Sequence, residues 1–474
     1  MNPLSRMVAL WLVIGSLASA ADSRPNILLI VADDLGYNDV GFQGCRDIPT
    51  PNLDRLAASG VRCTNGYVSY PVCSPSRAGF LTGRYQQRFG HEFNPQFDPA
   101  STTQGLPLSQ TTIADALGAA GYATGIVGKW HQGAHPQFHP NRRGFDEFFG
   151  FLGGGHRYLP GAHSEVEVGA GKKMTRTDPE HTGPMLRNQV EEPERGELTT
   201  RLGEEATAYL QRHAREPKPW FLYLAFNAPH TPLQAREDML KRFAHIADER
   251  RRTYAAMIAT EDEAIGRVLG ALDASGARGR TLIFFFSDNG GPMTKRNANA
   301  SINAPLRGQK GDVFEGGIRV PFVVSWAGHL PAGQTYAQPV ISLDVLPTAL
   351  AAAGSKRDPG RPALDGVDLV PYLSGRNTAA PHARLFWRMD GGEAFAVREG
   401  NWKWMRTYSN PPELYNLAED IGESRNLAQE KPEIAARLAA AAEAWNRELV
   451  APVFVNNPFG GMINRGGPAQ AASN

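Results

Sequence analysis

Few features of this 474-residue chain stand at an extreme, and what it has little of is informative. Neither sign of charge dominates, since 49 basic and 48 acidic side chains leave a formal net charge of +1. Nucleic-acid binders usually show a basic excess or a basic stripe, and neither is present. No apolar run reaches the roughly 20 residues needed to span a bilayer. No internal repeat is visible. Cysteine is scarce, limited to Cys45, Cys63 and Cys73. An odd count in an exported protein leaves one thiol over unless chemistry uses it. Cys45 and Cys63 can be read as a disulfide or as two buried thiols, and Cys73 is the one left over.

What is present is a globular composition. Hydrophobic residues make up 42% of the chain, enough for a substantial core and without any sign of long disorder. The length fits two or three average domains, or one large α/β enzyme. Fifty glycines and 35 prolines indicate a loop-rich protein, and loops are where sites tend to sit. The N-terminus reads as an export signal: Arg6 is the positive flank, Met7 to Leu17 the apolar run, and Ala18-Ser19-Ala20 the small-residue cleavage site. Cleavage after Ala20 and a secreted or periplasmic location are expected. The run is too short for a membrane anchor, and no cysteine follows it to carry a lipid.

Beyond the signal, Asn26 to Val31 is a short, β-branched apolar run that suits a strand buried on both faces. Trp220 to Phe226 and Thr281 to Phe286 read the same way. Helical patterns lie between them at Leu198 to His213 and Glu249 to Leu272; in the second, Ile258, Ile265, Val268, Leu269 and Leu272 recur at helical spacing. The alternation predicts an α/β fold, a large, mostly parallel (mixed) sheet sandwiched by helices. His131 to Pro193, rich in Gly, Pro, His and charge, reads as long loops. Strand-like pieces at Ala394 to Val397 and Trp402 to Trp404, then a helix from Pro432 to Leu449, predict a small C-terminal α+β subdomain. The expected division is a signal at 1–20, a catalytic domain at 24–375, the subdomain at 376–455 and a poorly ordered tail at 456–474.

Each of the three buried strands runs into polar residues: Asp33-Asp34, then Asn227-Ala228-Pro229-His230, then Ser287-Asp288-Asn289-Gly290. Ligands of open α/β sheets bind beyond the carboxyl ends of the strands, which predicts Asp33, Asp34, Asp288 and Asn289 close together. Neighbouring carboxylates repel unless positive charge lies between them. Three carboxylates and an amide oxygen suit a hard cation, Ca²⁺ or Mg²⁺, whereas zinc or copper favours imidazole or thiolate. A single Asp at a strand end serves equally well as a helix N-cap; three converging ends favour a site.

The segment Cys73-Ser74-Pro75-Ser76-Arg77, followed by Ala78-Gly79-Phe80 and Leu81-Thr82-Gly83-Arg84, resembles the signature of the formylglycine-dependent type I sulfatases. These are arylsulfatase-like enzymes of the alkaline phosphatase superfamily. Gly128-Lys129-Trp130-His131, Pro229-His230-Thr231-Pro232, Ser287 to Gly291, Leu306 to Lys310 and Glu315 to Pro321 resemble further family segments in family order. Leu414 to Leu417 and Asn426 to Ala428 resemble its C-terminal part, so the likeness runs from about Pro25 to Leu449. Gln132 departs from the pattern, where Leu is commoner.

The resemblance implies that a formylglycine-generating enzyme oxidises Cys73 to formylglycine (3-oxoalanine), whose hydrate attacks sulfur. It implies one Ca²⁺ per subunit, held by Asp33, Asp34, Asp288 and Asn289 and contacting residue 73 and a sulfate oxygen. Lys129, His230 and Lys310 would surround the sulfate and offset its developing charge, with His230 or Lys310 protonating the leaving alcohol. Arg77 and Lys129 would orient the hydrate, and His131 would take the proton whose loss expels sulfate. Glu315 and Arg319 are expected to be structural, an ion pair or loop brace.

Sulfate is thereby implied, but the alcohol is not. The segments His131 to Pro193 and Phe89 to Gln104 are expected to shape the substrate pocket. Gly153-Gly154-Gly155-His156-Arg157-Tyr158 offers His156 and Arg157 as binders of sugar hydroxyls or carboxylates, with a tight turn as the plainer alternative. By family analogy, a large loop insert in an exported sulfatase suggests a sulfated carbohydrate or polysaccharide. Two alternatives stand beside this: a phosphodiesterase or phosphonate monoester hydrolase of the same superfamily, and a catalytically silent sulfated-glycan-binding protein.

Overall fold

The structure, a computed structural model, describes residues 24–455 apart from 163, 168–172, 177–182, 215, 294–297 and 356–357. The expected signal at 1–20 and the expected tail at 456–474 lie outside the described residues. Among the described residues no helix is long and apolar enough to cross a membrane.

Asn26–Ala32 is the central strand, and all seven of its residues are buried. It pairs in parallel with Trp220–Ala225 on one side and Thr281–Ser287 on the other, so Ile30 lies beside both Leu224 and Phe285. Alternation of side chains along a strand sends Leu28 and Ile30 to one face. There they pack with Leu202 and Ala206 of helix Leu198–His213 and with Ile258 and Ile265 of helix Glu249–Ala274. Ile27, Leu29 and Val31 go to the other face, against Phe80 and Leu81 of helix Cys73–Thr82, Leu117 of Ile113–Ala119 and Ala349 of Val345–Ala352. Burying an aliphatic side chain of this size contributes about 1.5–3 kcal/mol, so one short strand anchors both helical layers. The expected mixed α/β sandwich is what the structure shows.

The complete sheet has ten strands in the order Gln334–Tyr336, Val61–Cys63, Phe322–Ser325, Thr281–Ser287, Asn26–Ala32, Trp220–Ala225, Ala123–Lys129, Glu147–Phe151, Met185–Arg187, Val190–Glu192. The five from Thr281–Ser287 to Glu147–Phe151 are parallel, and antiparallel strands flank them. Ala123–Lys129 does not read as a strand in the sequence because glycine breaks its apolar run. Gly125 is required there, since a Cβ would meet the Tyr209 ring at 2.4 Å. The reading of His131 to Pro193 as long loops is corrected as well. It holds Glu147–Phe151, Met185–Arg187 and Val190–Glu192, which extend the main sheet, and a separate hairpin of Ser164–Glu167 with Lys173–Arg176. Strands of three to five residues carry too little alternation to register in a sequence. Of the two readings for Cys45 and Cys63, the structure shows free thiols.

The C-terminal four-stranded antiparallel sheet comprises Leu385–Met389, Ala394–Glu399, Trp402–Thr407 and Glu413–Asn416. One face packs Phe395, Val397, Trp404 and Leu414 on Leu438 and Ala442 of helix Pro432–Asn446. The other packs Trp387, Ala396 and Met405 on Tyr67, Val313 and Ile318. Charge is buried in this second seam. Lys403 Nζ lies 2.9 Å from Glu315 Oε1 and 2.8 Å from Glu423 Oε1, with Lys403, Glu315 and Glu423 side chains all at 0% exposure. Arg319 adds a 3.3 Å contact to Glu315, and the Tyr67 hydroxyl donates to it at 2.6 Å. Burial opposes ionisation of Glu315, yet Lys403, Arg319 and Arg398 hold its pKa below the usual carboxylate range; burial and the nearby Glu315 push Glu423 up. Removing one partner of such a pair strands the other in low dielectric. Lys403→Met is therefore expected to lower unfolding free energy by about 3–5 kcal/mol, measured by urea titration, and adding Glu423→Gln should recover part of it. A loss indistinguishable from that of a surface lysine would contradict this role.

Candidate active site

Parallel strands place their carboxyl ends along one edge, and four of the strands deliver candidate site residues there. Backbone pairing runs past the strand ends: Phe226 N donates to Val31 O at 2.9 Å, Asp33 N to Ala228 O at 2.9 Å, and Asp288 N to Ala32 O at 3.0 Å. These bonds fix the register of Asp33-Asp34, the His230 turn and Asp288-Asn289 against one another. Asp34 takes φ +65°, an unfavourable conformation for a residue with a Cβ that tends to persist at functional sites. Its N–H points at Asp288 Oδ1 at 3.4 Å.

Asp33, Asp34 and Asp288 are fully buried, and three cations reach them from three different elements. Lys129, the last residue of its strand, donates to Asp33 Oδ2 at 2.5 Å. Arg77, on helix Cys73–Thr82, donates to Asp288 Oδ2 at 2.9 Å and lies 3.7 Å from Asp33; it also reaches the Tyr223 hydroxyl at 2.9 Å and Lys129 O at 3.3 Å. Lys310 arrives on a loop, 2.7 Å from Asp34 Oδ1, and its ammonium is 3.1 Å from Cys73 Sγ. That loop is pinned by Gly311 N to Pro71 O at 2.8 Å and Gly290 N to Gly317 O at 3.0 Å. Gly290 is needed for this approach, since a Cβ there would sit 1.8 Å from Gly316 O. The three opposite pairs offset most of the cost of burying the charges.

Cys73 is the first residue of its helix and is 1% exposed. Burial pushes its thiol up to about 12, against the pull of Lys129 and Lys310. Thiolate is scarce at neutral pH with such a value, which makes unmodified Cys73 a weak nucleophile. Burial also raises Asp288, with Asp33 adding to the rise. One ligating atom each from Asp33, Asp34, Cys73 and His230 lies within 4.8 Å of the others, and His230 Nε2 is 3.6 Å from Asp34 Oδ2. Asn289 Nδ2 contacts Asp34 Oδ1 at 2.6 Å, while Asn289 Oδ1 is buried with no hydrogen-bond partner among the described residues. Oxygen donors predominate and one amide oxygen is unsatisfied, which fits a divalent cation between the strand ends.

The structure thus brings together Asp33, Asp34, Cys73, Arg77, Lys129, His230, Asp288, Asn289 and Lys310. His131 takes φ +55°, and the Ser74 hydroxyl holds its carbonyl at 2.6 Å. Gln132, the departure from the family pattern, donates to Ser74 O at 2.9 Å. His156 and Arg157 are placed differently. His156 is 2% exposed, with ring nitrogens 2.8 Å from Arg157 O and 3.0 Å from Gly183 O. Its carbonyl accepts from Asn227 Nδ2 at 2.8 Å, and the Tyr158 hydroxyl donates to Asn227 O and His230 O at 2.7 and 2.8 Å. Arg157 pairs with Glu194 at 2.5 Å. This segment underlies the His230 turn. Glu315 and Arg319 form the expected ion pair. Sequence reasoning missed Tyr223, hidden in an apolar strand, and Asn299, whose Nδ2 bonds Asp34 O at 3.1 Å and Pro229 O at 3.2 Å.

Known proteins resemble this chain in sequence and in fold. The sulfatase family model matches residues 25–355. Arylsulfatase A of Bos taurus is 35% identical over 472 residues, covering 90% of this chain and 89% of the relative. N-acetylgalactosamine-6-sulfatase of Sus scrofa is 34% identical over 424 residues, covering 86% and 77%. The crystal structure of Ps i-CgsB in complex with k-i-k-neocarrahexaose superposes with a TM-score of 0.84 at 36% identity, covering 92% of this chain and 96% of that one. Likeness of this extent, carried by sequence and fold together, means that the chain belongs to the sulfatase family of sulfuric ester hydrolases.

Proposed function

We propose that this sulfatase acts on a sulfated carbohydrate, using formylglycine made from Cys73 and one Ca²⁺ held by Asp33, Asp34, Asp288 and Asn289. The observation that carries the reading is the approach of Lys310 Nζ to Cys73 Sγ at 3.1 Å beside the buried carboxylates. A hydrated aldehyde at residue 73 would supply a nucleophile with a second hydroxyl, through which sulfate can be released without a second attack on sulfur. The cation would supply a fixed positive charge that orients the ester and draws electron density from it. The oxygen donors suit Ca²⁺ better than a softer metal.

The chain's own side chains have separable tasks. Lys129 is at 0% side-chain exposure and Lys310 at 12%, so Lys310 faces the opening. His230, at 6%, stands beside it. Either places a proton donor where the alcohol departs. Arg77 is held by Asp288 and Tyr223 and keeps the start of its helix in place. His131 serves as base for the second hydroxyl of residue 73. The likeness to the pig N-acetylgalactosamine-6-sulfatase and to the structure in complex with k-i-k-neocarrahexaose supports a carbohydrate substrate. Export, with removal of residues 1–20, and maturation by a formylglycine-generating enzyme belong to the same reading. They rest on the N-terminal pattern and on Cys73 to Arg77.

Protein coexpressed with a formylglycine-generating enzyme should release sulfate from members of a sulfated-glycan panel and hydrolyse an aryl sulfate faster than the matching aryl phosphate. Faster phosphate ester hydrolysis, or glycan retention without release, would overturn the reading. Lys310→Ala should lower kcat by about 10²–10³.

Chelation should abolish turnover, Ca²⁺ should restore it better than Zn²⁺, and Asp288→Ala should lose bound metal by elemental analysis as well as activity. Full activity in metal-stripped protein would contradict the cation assignment.

A substrate role for His156 and Arg157 predicts that H156A/R157A slows glycan turnover but spares a small aryl sulfate, because remote binding acts only on the larger substrate. Equal losses on both would assign the pair to bracing the His230 turn.

A further inference from the structure

Residue 73 and His131 sit on different elements, and Ser74 links them. Ser74 Oγ lies 2.6 Å from His131 O and 2.7 Å from His91 Nε2. A carbonyl only accepts, so the one hydroxyl hydrogen of Ser74 goes to His131 O. With that hydrogen on His131 O, His91 Nε2 supplies the one between itself and Ser74 Oγ. Burial pushes the His91 pKa down to about 3, in keeping with a neutral ring that has one N–H. Gln132 Nε2 closes the arrangement from the other side, donating to Ser74 O at 2.9 Å and His131 O at 3.0 Å. Ser74 N bonds Asn94 Oδ1 at 3.0 Å. Ser74, His91 and Gln132 are all 0% exposed.

His91 is itself held by a distant part of the chain. The strap that follows helix Pro432–Asn446 crosses the segment before His91, with Val450 N on Gln87 O at 3.3 Å and Val453 N on Gly90 O at 2.9 Å. It carries Phe454, whose ring meets the His91 ring edge to face at 5.1 Å. Arg388 of the C-terminal sheet bonds Val450 O at 2.6 Å and makes a buried ion pair with Glu92.

We propose that His91, seated by the C-terminal strap, is a positioning residue for hydrolysis: through Ser74 it sets the distance between residue 73 and His131. The inference rests on the reading that residue 73 and His131 act on the ester. The left-handed backbone of His131 is uncommon for a residue with a Cβ, and its carbonyl is held by the Ser74 hydroxyl at 2.6 Å and by Gln132 Nε2 at 3.0 Å. Freed of His91, Ser74 can rotate, and the His131 backbone can relax away from residue 73. His91 is buried beneath Ser74, so its loss falls on kcat and leaves KM.

The test uses the full chain coexpressed with a formylglycine-generating enzyme, an aryl sulfate substrate, mass spectrometry of the residue-73 peptide and thermal unfolding. His91→Phe keeps the ring and removes the donor. Misplacement by about 1 Å costs about 10²-fold, so kcat should fall about ten- to hundredfold with KM little changed and the aldehyde content equal to wild type. His91→Gln places an amide N–H near the Nε2 position and should regain most of the rate; His91→Asn, too short to reach, should not. Phe454→Ala should change kcat in the same direction by less. An unchanged kcat in His91→Phe, or equal losses in the Gln, Asn and Phe variants, overturns the proposal while leaving the functional reading intact. Should His91→Phe fail to fold, the contrast between Gln and Asn decides. Wild-type protein active without any aldehyde overturns the reading and this proposal with it.

Discussion

Three carboxylates are buried at one edge of a parallel sheet, and the site is built around neutralising them. Asp33, Asp34 and Asp288 have no exposure to water, so their charge is tolerable only if cations come to them. Arg77, Lys129 and Lys310 do so from a helix, a strand and a loop. That requirement orders the neighbourhood: Arg77 brings its helix, and with it Cys73, over the sheet edge, while Lys310 draws its loop across the opening. A divalent cation and an anionic ester would add charge of both signs to a group that is already nearly balanced. These charged groups therefore hold one another in place at the sheet edge.

The C-terminal sheet extends this logic. It contacts the site from two flanks, each time through a buried ion pair. Lys403 holds Glu315 at the end of the loop that carries Lys310, and Arg388 holds Glu92 in the segment that carries His91. The C-terminal sheet thus braces two segments that border the candidate site.

The central strands were legible in sequence because they are apolar and end in acids or amides, and the rule for strand ends then grouped Asp33, Asp34, Asp288 and Asn289 before any geometry was known. The family motifs added Cys73, Arg77, Lys129, His230 and Lys310, which the fold does bring together. Ala123–Lys129 was hidden by Gly125, a glycine that is there to admit the Tyr209 ring. Tyr223 was hidden by its neighbours, since an aromatic in an apolar run looks like core until its hydroxyl is seen on Arg77. The left-handed backbones of Asp34 and His131, and the bonds that join His91, Ser74 and Gln132, depend on contacts between segments far apart in the chain. Local pattern carries no trace of them. His156 and Arg157 stand out in sequence as polar residues after glycines, and in the fold they contact neighbouring carbonyls and Glu194.

The chemistry turns on what residue 73 is in the working enzyme. The most direct measurement is the mass of the peptide spanning Cys73, taken across preparations of different specific activity. The account predicts a mass lowered by exchange of CH₂SH for CHO, labelling by an aldehyde-reactive hydrazide, no labelling by a thiol alkylator, and activity that rises with the converted fraction. Fully active protein with an unmodified, alkylatable Cys73 would contradict it.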